Sequence, residues 1–260
     1  MTDIFLGPKR YVQRPGALAD AGAELRPFGR RPLILADDTV GAILRPFLEE
    51  PLRAADLAPL YVRFGVECSP AEIGRVSEIG RAEKADVIVG TGGGKAIDTA
   101  RSVAGRLDLP LVTLPTSAAT CSAASTVSVL YENGIRTDTI HGKAAELVLV
   151  DSAIVAAAPP RLLAAGMGDT LAKWYEGKPT YDRTPDPPPS LEAALALSTQ
   201  VKETIFKNGL DAQQDAAGGK NSAAVRVANT LGSMNHAVRS VIRSSNASNA
   251  AANRDLLDTG

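Results

Sequence analysis

The run Gly90-Thr91-Gly92-Gly93-Gly94-Lys95 stands between an apolar segment, Asp86-Val87-Ile88-Val89, and a helical one that begins Ala96-Ile97-Asp98-Thr99-Ala100-Arg101. Strand, glycine loop, helix is the unit of a layered α/β fold. Glycine lets the backbone turn sharply and lets a phosphate approach main-chain N–H groups, and a helix N-terminus adds positive potential. A tight turn alone needs only one or two glycines, so the loop reads as a phosphate cradle. Its nucleotide is not specified by the loop. A GxGxxG pattern from Gly90 needs glycine where Lys95 stands. A P-loop needs glycine at Val89 and Ser or Thr at Ala96.

The rest of the first 150 residues repeats the unit. Pro32-Leu33-Ile34-Leu35-Ala36, Leu60-Tyr61-Val62-Arg63-Phe64 and Pro110-Leu111-Val112-Thr113-Leu114 are further short apolar runs. Near-continuous apolar runs suit parallel strands covered on both faces, so the expectation is a doubly wound sheet. Ser69-Pro70 opens a helix with Glu72 placed as in a capping box, and a helix is expected from about Lys95 to Gly105. Residues 125–131 and 146–151 are expected to pair as strands around the Glu132-Asn133-Gly134 turn and a loop over 137–143. Beyond Pro159-Pro160 the pattern is helical from about Arg161, broken by the proline-rich stretch 178–190, and helical again over 191–208. Residues 211–260 hold no Phe, Tyr or Trp, too few large apolar groups for a core of their own.

Composition excludes other classes. The 260 residues carry 28 basic and 29 acidic side chains, leaving no excess charge to drive binding to nucleic acid or a membrane surface. No stretch approaches the ~18 apolar residues of a spanning helix. The start shows no signal-peptide core, and the 2 cysteines, Cys68 and Cys121, form no CxxC pattern. A cytoplasmic protein is expected.

Several polar residues have two readings from sequence alone. Asp37, at the end of the first apolar run, is either a turn former or an acceptor for ribose hydroxyls. Asp98 is either a helix-dipole partner or a ligand acceptor. Asp169 is either a helix-surface carboxylate paired with Lys173 or a ligand.

Four collinear motifs carry a resemblance. They are Gly7-Pro8 with Tyr11, Gln13 and Gly16-Ala17-Leu18; Phe64-Gly65, Glu67-Cys68-Ser69 and Glu72-Ile73; GTGGGKAIDTAR with Leu114-Pro115-Thr116-Ser117-Ala118-Ala119-Thr120; and residues 164–176, AAGMGDTLAKWYE. Together they resemble the glycerol dehydrogenase-like branch of the metal-dependent (iron-containing) alcohol dehydrogenases. The resemblance implies a Rossmann-like parallel-sheet domain over 1–158 and an incomplete all-helical domain over 159–260, in a dehydroquinate synthase-like architecture. It implies NAD as cofactor, with Asp37 on the adenosine ribose, Gly92, Gly93, Gly94, Lys95 and Asp98 on the pyrophosphate and nicotinamide side, and Thr116, Ala119, Ser125, Val127 and Tyr131 adding contacts. An acidic Asp37 suits NAD over NADP, whose 2′-phosphate would meet a carboxylate.

The same resemblance makes Asp169 a catalytic, metal-binding aspartate that, with histidines, holds Zn²⁺ or Fe²⁺ to polarise a substrate hydroxyl. The sequence has 2 histidines. His236 matches the family's first metal histidine, the second has no match, and His141 falls where the pattern puts no ligand. An incomplete metal site on a chain shorter than the family pattern is therefore expected. Cys121 stands where glycerol-type members carry a substrate-reading aspartate, and it is either a buried thiol or a change that favours hydroxy acids. The implied activity is NAD-linked oxidation of a small polyol or alcohol by a homo-oligomer. The alternatives are a hydroxycarboxylate dehydrogenase and an inactive NAD-binding fragment.

Overall fold

Every residue of the strand Pro32–Ala36 (β2) is buried, and its side chains divide between two cores. Leu33 and Leu35 enter one cluster and Ile34 and Ala36 the other. A strand buried on both faces sits inside a covered sheet, and period-two alternation sends successive side chains to opposite layers. In this computed structural model, which describes residues 7–222 and 225, six strands form that sheet: Tyr11–Arg14 (β1), β2, Leu60–Arg63 (β3), Val87–Gly92 (β4), Leu111–Pro115 (β5) and Leu147–Asp151 (β8). All pairings are parallel, in the order β1-β8-β5-β4-β2-β3.

Helices cover both faces. Ala21–Leu25 (α1) and Asp38–Ala54 (α2) bury Leu25, Val40, Leu44, Leu48 and Leu52 in one core. Pro70–Ala82 (α3) and Gly94–Leu107 (α4) bury Ile73, Val76, Ile97, Ala100 and Val103 in the other. The connection β2–α2–β3 leads one way across the sheet and β4–α4–β5 the other. The sheet's direction reverses between β2 and β4, and ligands of open α/β sheets bind beyond the carboxyl ends at such a reversal. The residues at that point are Asp37 and the glycine loop.

The doubly wound expectation holds, but one strand pairing does not. Val127–Glu132 (β6) pairs antiparallel with Ile135–His141 (β7), within the stretch expected to include a loop, and β8 lies in the main sheet between β1 and β5. The reason is local. Asn133 and Gly134 both have positive φ, 53° and 77°, as a two-residue hairpin turn requires, so β6 folds onto its immediate successor. The five residues of β8 are all buried, which suits a sheet interior and not an edge hairpin. β1 is a further strand that the sequence patterning did not mark.

After the short helix Ser152–Ala157 (α5), the chain continues as two long helices, Pro160–Arg183 (α6) and Pro189–Ala217 (α7), which pack against each other. The proline-rich break is narrower than expected, because α6 runs through Pro179 and ends only at Arg183.

The start of α3 is half a capping box. Ser69 Oγ accepts from the Glu72 N–H at 3.2 Å. The Glu72 carboxylate does not reach back, but accepts from Gly65 N–H at 2.7 Å and from Arg75 Nη2 and Nε at 2.7 and 2.8 Å. Burial acts to raise the Glu72 pKa, but the Arg75 guanidinium and the Gly65 N–H outweigh it and hold the carboxyl below its ordinary 4.5. A depressed folded pKa means that the contribution is complete above the unfolded value and is lost as pH falls through the folded one. Glu72→Gln is therefore expected to lower the melting temperature near neutrality, with the gap to the unaltered chain closing as pH falls below about 4. Melting curves across that range check it.

Candidate dinucleotide cleft

Gly93 is the N-cap of α4, in extended conformation (φ −90°), and no side chain caps this helix end. Uncapped N–H groups and the helix dipole favour an anion there. A methyl group built on Gly93 would meet nothing within 4 Å, so the loop faces open space. That space is a cleft of about 910 Å³, whose wall includes Thr39, Val40, Gly93, Thr116, Ser117 and Ala119. Preceding Gly92 has φ +97° and its missing side chain would lie 3.2 Å from Val40; here the turn itself requires glycine. Thr116 N–H donates to Gly92 O at 3.2 Å, tying the loop after β5 to the last residue of β4.

The other expected cofactor residues fall in three places. Asp37 caps α2, accepting from Val40 N–H at 2.8 Å, and lines a smaller pocket of about 310 Å³ with Asp38, Arg45, Tyr61 and Arg63. Lys95 and Tyr131 meet, with Lys95 Nζ 4.6 Å from the Tyr131 ring centroid. Asp98, Ser125 and Val127 lie in the interior. Asp98 accepts from Arg101 at 2.6 Å, Ser122 Oγ at 2.5 Å and Val129 N–H at 3.0 Å. Its position in the helix is beyond the first turn, and its carboxylate is taken up by the protein's own donors. Cys121 is likewise buried, at the head of a 3-10 turn.

Two contributors carried no role in the sequence reading. Asp151, ending β8, accepts from the N–H groups of Gly16, Leu18 and Ala153 at 3.0, 3.3 and 3.0 Å. It fixes the cleft wall that Gly16 and Leu18 supply. Glu67 accepts from Gly134 N–H at 2.8 Å and lies 3.8 Å from Lys95 Nζ, pinning the tip of the β6–β7 hairpin near the glycine loop. Both stand in stretches with sequence signal, but a long-range partner cannot be read from local pattern.

The metal expectation fares differently. Asp169 lies on α6 and is 31% exposed, with Lys173 Nζ at 3.7 Å. Lys173 is itself buried and hydrogen-bonds Glu176 at 2.9 and 3.1 Å. An ammonium beside the carboxylate opposes a cation there. Among the described residues no group of three His, Cys, Asp or Glu side chains is placed to hold a metal. His236 lies outside the described residues. The described donor set does not fit a metal ion.

The sequence model of the family described as iron-containing alcohol dehydrogenase matches residues 8–152, more than half of the chain. The chain belongs to the iron-containing alcohol dehydrogenase family. The matched span runs from before β1 to the start of α5 and so contains the glycine loop and the whole sheet. Glycerol dehydrogenase of Citrobacter freundii is 34% identical over 224 residues, covering 84% of this chain and 61% of the relative. Glycerol dehydrogenase of Thermotoga maritima is 38% identical over 218 residues, covering 82% and 59%. The crystal structure of a probable glycerol dehydrogenase from Sinorhizobium meliloti superposes with a TM-score of 0.81 at 32% identity, over 91% of this chain and 66% of that one. The chain thus spans about three fifths of the length of the curated relatives it matches. Among the described residues, no helix of this iron-containing alcohol dehydrogenase family member is long and apolar enough to cross a membrane.

Proposed function

We propose that this chain binds NAD in the cleft at the sheet reversal and serves NAD-linked oxidation of a small alcohol or polyol, as the names of its glycerol dehydrogenase relatives suggest. The observation that carries the reading is the uncapped N-terminus of α4, opening through Gly93 into the cleft beside Thr116 and Ala119. The first-turn N–H groups would hold the pyrophosphate, and Asp37 at its separate pocket the adenosine ribose. Lys95, held against Tyr131, would stand with Ser125 and Val127 toward the nicotinamide end. The dinucleotide, when bound, supplies the hydride acceptor. The protein's part is to orient it and to exclude water with the apolar wall formed by Val40, Ile154 and Leu162.

Residues 1–158 are proposed as the cofactor unit and 159–260 as the helical unit, in a cytoplasmic homo-oligomer. The donor set described above gives no metal step, and none enters this proposal. Titration with NADH, followed by nicotinamide fluorescence and competed with ADP-ribose, tests the reading. Saturable, competable binding is expected, and its absence removes the proposal. Rates with glycerol and with 2-hydroxybutyrate, each with NAD and with or without added Zn²⁺ or Fe²⁺, then separate the polyol reading from the hydroxy-acid one. Binding without turnover under all these conditions identifies an inactive cofactor-binding chain.

A further inference from the structure

Arg101, on α4, is fully buried. Its guanidinium does more than pair with Asp98. One nitrogen donates to Asp98 at 2.6 Å and to Val127 O at 3.1 Å, and the other donates to Ser122 O. Asp98 in turn receives Ser122 Oγ at 2.5 Å and Val129 N–H at 3.0 Å, and its main-chain carbonyl receives Ser128 Oγ at 2.9 Å. One helical turn therefore grips both ends of the segment 122–129, through two carbonyls, one N–H and two hydroxyls. The stem of Arg101 is pressed from another side, since a methyl group on Gly142 would come within 2.9 Å of its Cγ.

A buried ion pair is weak evidence for net stability, because apolar replacements often serve as well. What the fork supplies is geometry. Two donors in a rigid plane hold two carbonyls at a set separation, which an ammonium on a flexible stem does not reproduce. We infer that Arg101 is a positioning residue for the nicotinamide end of the cofactor site, holding segment 122–129 in register with the helix whose N-terminus receives the pyrophosphate. The inference rests on the NAD reading above. It separates the two ends of the ligand: the phosphates meet α4 itself, whereas Ser125 and Val127 ride on the segment that Arg101 holds.

The test compares NADH with ADP-ribose, which lacks the nicotinamide, by calorimetry on the full chain. Arg101→Lys keeps the charge beside Asp98 but gives up the fork. It is expected to weaken NADH by about 10-fold or more, the scale on which residues behind a site act, while ADP-ribose changes little. Gly142→Ala perturbs the same stem from outside the ion pair and is expected to show the same split, and it decides the matter if Arg101→Lys does not fold. Equal losses for both ligands, or none for either, overturn the inference. An unaltered chain that binds ADP-ribose but shows no nicotinamide-dependent gain overturns it too. Failure of the unaltered chain to bind either ligand overturns the cofactor reading and this inference with it.

Discussion

Gly166→Ala is expected to loosen α6 from the sheet domain and to lower cofactor affinity, whereas Gly168→Ala, two residues on, is expected to stabilise the chain. A methyl group on Gly166 would lie 1.6 Å from Ala118 O and 3.4 Å from the carbonyl carbon of Ala119. The obstruction is backbone, so it cannot swing aside as a side chain would. Either α6 or the segment after β5 must move by more than an ångström. Overpacking of this kind costs about 1–3 kcal/mol, and more where the obstacle is rigid. The segment on which α6 is seated contains Thr116 and Ala119, which line the cleft, so NADH affinity should fall together with the denaturation midpoint.

Gly168 meets nothing within 4 Å, and replacing a mid-helix glycine by alanine gains about 1 kcal/mol. Urea denaturation and NADH titration of the two variants check both directions. If Gly166→Ala left stability and affinity unchanged, α6 would not be seated on the loop as described.

That contrast marks what the sequence could and could not disclose. The apolar runs at 32–36, 87–89 and 111–114 announce buried parallel strands, and the four glycines before Lys95 announce a cradle, because both signals are local. β1 was hidden because Tyr11-Val12-Gln13-Arg14 is an edge strand with no fully buried residue, so its polarity pattern resembles a loop. The β6–β7 hairpin departs from the expected pairing although the sequence carries its Asn-Gly turn signal. β7 is Ile-Arg-Thr-Asp-Thr-Ile-His, and it exposes its first four residues, so it lacks the apolar density that makes a strand stand out. The side chains that organise the site from behind were not legible at all. Asp151 reaches back 135 positions to Gly16, and Arg101 is one of several arginines until its fully buried place between Ser122 and Val127 is seen. The Asp169–Lys173 pairing, the alternative to a metal-ligand role for Asp169, is readable from sequence because i,i+4 neighbours are fixed by the helix itself.

Gly93→Asp is expected to separate stability from binding, moving them in opposite directions. The position is an N-cap with extended backbone and no steric obstruction, where aspartate is among the most favoured residues and improves on glycine by about a few tenths of a kcal/mol. Its carboxylate would accept the first-turn N–H groups and complement the helix dipole. The folded chain should therefore melt at the same temperature or slightly higher. The same carboxylate would occupy the donors that a pyrophosphate requires and would set a negative charge beside it. Two unit charges 4 Å apart near a protein surface repel by about 4 kcal/mol, so NADH and ADP-ribose should both weaken by at least about a hundredfold. Gly93→Ser fills the cap without the charge, and should fall between the two. Melting curves and ligand titrations on the three chains decide the point. A phosphate site predicts the graded loss, whereas a loop that serves only as a tight turn predicts full binding in all three chains, or in none of them.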